Sequence, residues 1–131
     1  MRILILFFSL AMSLAACSKM VFLDISTYRG LINIEFFSDK SKKNSITLCV
    51  WEIVILDSED NIEVLAYENI KDCVPIRSFQ LSNRSDKFKI RGKYENLVEG
   101  GEYIVSVYAN GASGKSSFVM PHWVGPNHGI Q

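Results

Sequence analysis

The residues of this chain best suited to chemistry are three cysteines, at 17, 49 and 73, and two histidines, at 122 and 128. A thiolate can attack, ligate a metal or cross-link. An imidazole can carry a proton near neutral pH or hold a metal. Their spacing narrows these uses. No C-x-x-C pair is present, which counts against a redox couple or a zinc site. The histidines lie in "MPHWVGPNHGIQ" without a clear third ligand, and Pro121, Gly125, Pro126 and Gly129 make residues 121–131 read as a flexible tail. Three other stretches fail as motifs. "SGKSS" lacks the first glycine of a phosphate-binding loop, since that place is Ala109, and it opens no helix. "GASGK" has Lys115 where a nucleophile elbow needs glycine. "DSEDNIE" carries four acids but has Ile62 where a calcium loop turns on glycine, so it reads as a solvated hairpin tip. Neither a catalytic residue nor a metal or cofactor site is expected.

The first cysteine has a different setting. Met1-Arg2 is followed by the apolar run Ile3 to Leu14, the length of a signal-peptide core and too short for a membrane span with flanks. Then comes "LAAC", with small residues before the cysteine as a signal peptidase requires. This resembles the lipobox of bacterial lipoproteins, with Leu14, Ala15 and Ala16 before the cut and Cys17 after it. The resemblance implies that residues 1–16 are removed, that the Cys17 sulfur carries a diacylglycerol and that its new amine is acylated. Several acyl chains anchor far more firmly than one. Ser18, where aspartate often marks inner-membrane retention, leans towards the outer membrane, facing the periplasm.

Cleavage leaves about 115 residues, the length of one domain with its own core. Without Arg2, acidic residues outnumber basic ones by one, which gives no electrostatic case for nucleic acid. Cys49 and Cys73 remain as an even pair in an oxidising space, most simply a disulfide. Closing a loop of about 24 residues would stabilise by about 3 kcal/mol in the chain-entropy model. Metal ligation or a redox couple are the rival uses of the pair.

The elements that must position these residues alternate with period two. "LINIEFF" puts Ile32, Ile34 and Phe36 on one face. "TLCVWEIVIL" puts Cys49, Trp51, Ile53 and Ile55 on one face and an apolar set on the other, as a central strand would. "DSEDN" is a polar turn to a hairpin partner, "IEVLAYE". "KFKIRGKY" turns Phe88 and Ile90 inward and Lys87, Lys89 and Arg91 outward. "EYIVSVYA" buries Tyr103, Val105 and Val107, "NGASGK" is a turn-rich connection, and "SSFVM" is the last strand. No helical stripe appears, so the fold expected is all-β: a single antiparallel sandwich over residues 21–120, after a short tether at 17–20.

"LVEGGEYIVSVYA" sharpens this. Leu97, Gly100 and Tyr103 resemble the tyrosine corner of fibronectin type III and other immunoglobulin-like sandwiches, which implies that the Tyr103 hydroxyl bonds nearby backbone. Trp51 is the loose match to the buried tryptophan of such folds. Over most of the mature chain, the lipobox, "LCVWEIVI", the second cysteine, "LVEGGEYIVSVYANG" and "SSFVM" are similar to small periplasmic lipoproteins assigned as type VI secretion immunity proteins. That resemblance implies a non-catalytic protein that binds a toxin delivered into the periplasm. The alternatives are an accessory lipoprotein of an envelope assembly, and a cell-wall enzyme or ligand carrier. For a protein partner, the candidate contacts are the basic stripe Lys87, Lys89 and Arg91, with Lys93 as its extension, and the aromatics Tyr94, Tyr108 and Trp123, since interface anchors are commonly Trp, Tyr or Arg. The rival use of the stripe is an edge whose charge blocks strand-to-strand aggregation.

Overall fold

Alternating apolar and polar side chains build nearly every element of the computed structural model, which describes residues 19–122. In chain order these are β1 (Lys19–Met20), β2 (Phe22–Tyr28), β3 (Leu31–Phe37), β4 (Leu48–Asp57), β5 (Glu63–Glu68), β6 (Val74–Ile76), β7 (Ser78–Gln80), β8 (Lys89–Gly92), a 3₁₀ turn (Tyr94–Asn96), β9 (Glu102–Ala109) and β10 (Ala112–Val119). Two sheets pack face to face, so the protein is an all-β sandwich. The seven-stranded sheet runs β1-β10-β9-β4-β5-β8, with β6 also on β4, and the three-stranded sheet runs β2-β3-β7. All pairs are antiparallel except β1 with β10.

The core is what the strand patterns demand. Ile32, Ile34 and Phe36 from the small sheet face Val50, Ile53, Ile55, Leu65, Tyr67, Val105 and Val107 from the large one. Each fully buried aliphatic side chain contributes roughly 1.5–3 kcal/mol of transfer free energy. Edge-on stacking of Tyr67 on Phe79 and of Phe79 on Phe88 closes one flank. The Tyr67 hydroxyl donates to the Ser82 carbonyl at 2.6 Å and accepts the Ser82 N–H at 2.9 Å. At the corner before β9, Leu97 is buried and the Tyr103 hydroxyl accepts the Val98 N–H at 2.7 Å.

Three expectations are corrected. Along β4, Leu48 and Val50 are buried and so are Ile53 and Ile55, with a register shift against β9 between Val50 and Glu52. One extra residue at this bulge turns Trp51 outward, 37% exposed, and the inward set changes parity. Trp51 is therefore not the buried tryptophan of the core, and Cys49 and Trp51 do not share the face of Ile53 and Ile55. Second, "ASGK" is strand, not loop: Asn110-Gly111 alone turns the chain, and β10 begins at Ala112. Pairing on both sides, with β9 and β1, overrides the weak strand preference of Ala, Ser and Gly. Third, Lys19 and Met20 belong to a strand rather than a tether. Their pairing with Ala112 and Ser113 is extended by Val21, whose N–H donates to the Ser113 carbonyl at 2.9 Å. Gly114 permits that approach, because a Cβ there would lie 2.4 Å from the Val21 carbonyl oxygen. Cys17, Trp123 and His128 lie outside the described residues.

Candidate functional site

The connection from β5 to β6 is short and polar, yet it is tied down at four points. The Asn69 N–H donates to the Trp51 carbonyl at 3.0 Å. Its side-chain oxygen accepts the N–H groups of Lys71 (3.0 Å) and Asp72 (3.3 Å), an Asx turn. Its side-chain amide donates to the Lys87 carbonyl at 2.8 Å. Beyond it, Cys73 is disulfide-bonded to Cys49 of β4, with their Cα atoms 5.0 Å apart. The pair staples the loop to the sheet margin, where Cys49 stands opposite Pro75.

The clamped loop holds Ile70 at its tip, 84% exposed. Ile70, Lys71, Lys87 and Lys89 surround a shallow cleft of about 290 Å³ with the buried ring of Phe88 among its walls. None of these lysines is in an ion pair among the described residues, and Asp72 and Asp86 are the nearby unpaired acids. The result is an apolar knob on a rigid support, beside three unpaired lysines and the acids Glu68 and Asp86 of the same cleft. Such a surface suits a protein partner with an acidic rim around an apolar socket: charge speeds encounter and the knob supplies buried area.

The candidate residues are only partly brought together. Lys87 and Lys89 stand in this cleft. Arg91 is on the same strand but is consumed by Glu63 (2.8 Å), Glu68 (2.7 Å) and Glu52 (3.2 Å). The hydrogen bond from Arg91 holds the Glu63 carboxyl below its ordinary range, and the acceptors, Glu63 first, raise the guanidinium further. Arg91 therefore is not a free cation of a basic stripe; it closes an anionic cluster on the outer face of the large sheet. Tyr94 is buried, which raises its phenol pKa, and its hydroxyl donates to the Gly30 carbonyl at 3.3 Å, so it is not an exposed anchor. Lys93 is exposed, just before the 3₁₀ turn. Tyr108 is 48% exposed but stands on β9, away from the cleft and towards β1. His122 contacts the Glu99 carboxylate.

Ile70 was missed by strand periodicity, because it belongs to a loop. The signal was the Asn69 next to it: an Asx-turn residue four positions before a cysteine marks a loop held from both ends. Among the described residues, no group of three or more His, Cys, Asp or Glu is placed to hold a metal. No protein-family model matches the chain, and no curated protein matches it by sequence.

Proposed function

We propose that the protein is a lipid-anchored, periplasm-facing binding protein whose task is to neutralise a secreted effector that acts in the periplasm. The observation that carries this reading is the disulfide-clamped loop, which presents Ile70 to solvent beside Lys71, Lys87 and Lys89. A soluble domain gains nothing in stability from a large aliphatic side chain held almost fully in water. Held rigid, it loses little entropy on docking, and burying it contributes roughly 1.5–3 kcal/mol. The resemblance of the leader to a lipobox supports the anchor, and a disulfide is at home in the periplasm. The strand order and the corner at Tyr103 support an immunoglobulin-like version of the sandwich, an architecture that says nothing of activity.

The test is protection. A toxin encoded beside this gene and directed to the periplasm should kill cells, and co-expression of this protein should rescue them. Ile70→Asp and the double change Lys87→Glu/Lys89→Glu should each weaken the complex tenfold or more, as loss of a central anchor does, with the unfolding midpoint unchanged. Absence of rescue, or rescue indifferent to both variants, would overturn the reading.

A further inference from the structure

The groove at the opposite margin of the large sheet is lined by Lys19, Met20, Phe22, Tyr108 and Lys115, with a volume of about 390 Å³. Met20 is 74% exposed and Tyr108 48%. Lys19 and Lys115 are exposed and make no ion pair among the described residues. A flexible thioether, a phenol and two long cationic stems on one rim are the side chains that settle at a lipid–water boundary. The ring lies at headgroup depth, and the lysine heads reach anionic phosphates.

We propose that this groove rests on the surface of the bilayer that carries the lipid anchor, and so fixes how the domain stands on the membrane. The inference rests on the reading of Cys17 as the acylated residue. Given that anchor, chain length forces the contact: Ser18 alone separates Cys17 from Lys19, so the two Cα atoms lie at most about 8 Å apart. Lys19 and Met20 cannot swing away, because β1 is paired with Ala112 and Ser113 and bonded on both sides, from Lys19 N–H to the Gly111 carbonyl (3.0 Å) and from Val21 N–H to the Ser113 carbonyl (2.9 Å). The acyl chains thus leave the domain at this groove. A partner protein of ordinary size would have to occupy the same space as the membrane to reach it. Anionic headgroups are the matching chemistry.

The acylated full-length protein is reconstituted in vesicles of phosphatidylethanolamine and phosphatidylglycerol and footprinted with hydroxyl radicals, read by mass spectrometry. Mass analysis of the same sample reports the acyl groups on Cys17. The expected result is labelling of Met20 and Tyr108 roughly fivefold or more slower than after proteolytic release from the lipid, because seating at the headgroup boundary removes most of their water contact. Tyr28, also exposed but on the small sheet, should be labelled equally in both states. Lys19→Glu/Lys115→Glu should weaken the protection roughly twofold or more while acylation persists, because the short link still holds the groove near the bilayer but the headgroups now repel it. Acylated protein with Met20 and Tyr108 labelled as fast as the released form overturns the inference and leaves the anchor standing. Protection that rises with the protein-to-lipid ratio marks self-association and also overturns it. An unmodified Cys17 overturns the anchor and the inference together.

Discussion

Replacing both Cys49 and Cys73 with serine tests whether the β5–β6 loop is held as the structure implies. The disulfide closes a separation of 24 residues. In the chain-entropy account that restriction of the unfolded ensemble is worth about 3 kcal/mol. Unfolding entropy near the midpoint is roughly 2 cal/mol/K per residue, so a domain of about a hundred residues should lose about 15 °C in Tm. The assay is thermal unfolding followed by circular dichroism, with the wild type under reducing conditions as a second route to the same state. Native-state hydrogen exchange adds a local readout. The N–H groups of Lys71 and Asp72 bond only to the Asn69 side chain, so their protection should drop further than that of β4, whose amides are held by the sheet. If the double serine variant melts within about 3 °C of the wild type, the bridge does not constrain the unfolded chain as the entropy account requires. If the Lys71 and Asp72 amides then exchange no faster, Ile70 is not held by the clamp, and the argument for a preformed docking knob fails with it.

Three further outcomes follow from buried or paired groups. Tyr67→Phe removes both partners of the Ser82 backbone and should cost about 1–3 kcal/mol in denaturant unfolding. Burial raises the Tyr67 phenol to about 12, so its contribution is fully present below the ordinary tyrosine value and is lost as pH rises through about 12. The variant should show a shallower alkaline loss, with Tyr94, also raised, supplying the remainder. The Glu63 carboxyl is depressed by Arg91, so its stabilisation is present above its ordinary value of 4.5 and vanishes as pH falls through the lower folded value. Arg91→Met should flatten that acid limb in a pH series of unfolding midpoints, at a cost near neutral pH of roughly 1 kcal/mol or less, because these pairs are a third exposed and screened. Gly114→Ala puts a Cβ against the Val21 carbonyl and should cost about 1–3 kcal/mol, with exchange at the Lys19 and Val21 amides rising as β1 lifts from β10.

The strands with strict alternation were legible residue by residue. Ile32, Ile34 and Phe36, like Tyr103, Val105 and Val107, are buried as their spacing requires. The β4 faces were not, because a bulge changes parity through one added residue and leaves no mark in a continuous apolar run. The start of β10 was hidden for a related reason. Ala112 to Lys115 have turn-like composition, and pairing with β9 along their length, joined by β1 at Ala112 and Ser113, makes them a strand. Charge was legible only as sequence. Lys87, Lys89 and Arg91 alternate alike, yet Arg91 alone faces three glutamates brought from β4 and β5. Cross-strand pairing is a property of register, which no single strand contains.

Register also relates the two ends of the molecule. Met20 stands opposite Ser113, Ser113 opposite Tyr108, Tyr108 opposite Glu52, Glu52 opposite Glu68, and Glu68 opposite Lys89. This one row crosses the large sheet from β1, the strand that follows Cys17 in the sequence, to the edge of the Ile70 cleft. At about 4.8 Å per strand the two edges are about 24 Å apart. That distance is roughly three Debye lengths at physiological ionic strength. If Cys17 carries the lipid as proposed, headgroup charge beneath β1 would barely reach Lys87 and Lys89. The proposed anchor would then commit the β1 margin to the membrane and leave the Ile70 loop at the far margin, where a partner would meet it in solvent and outside the field of the lipid.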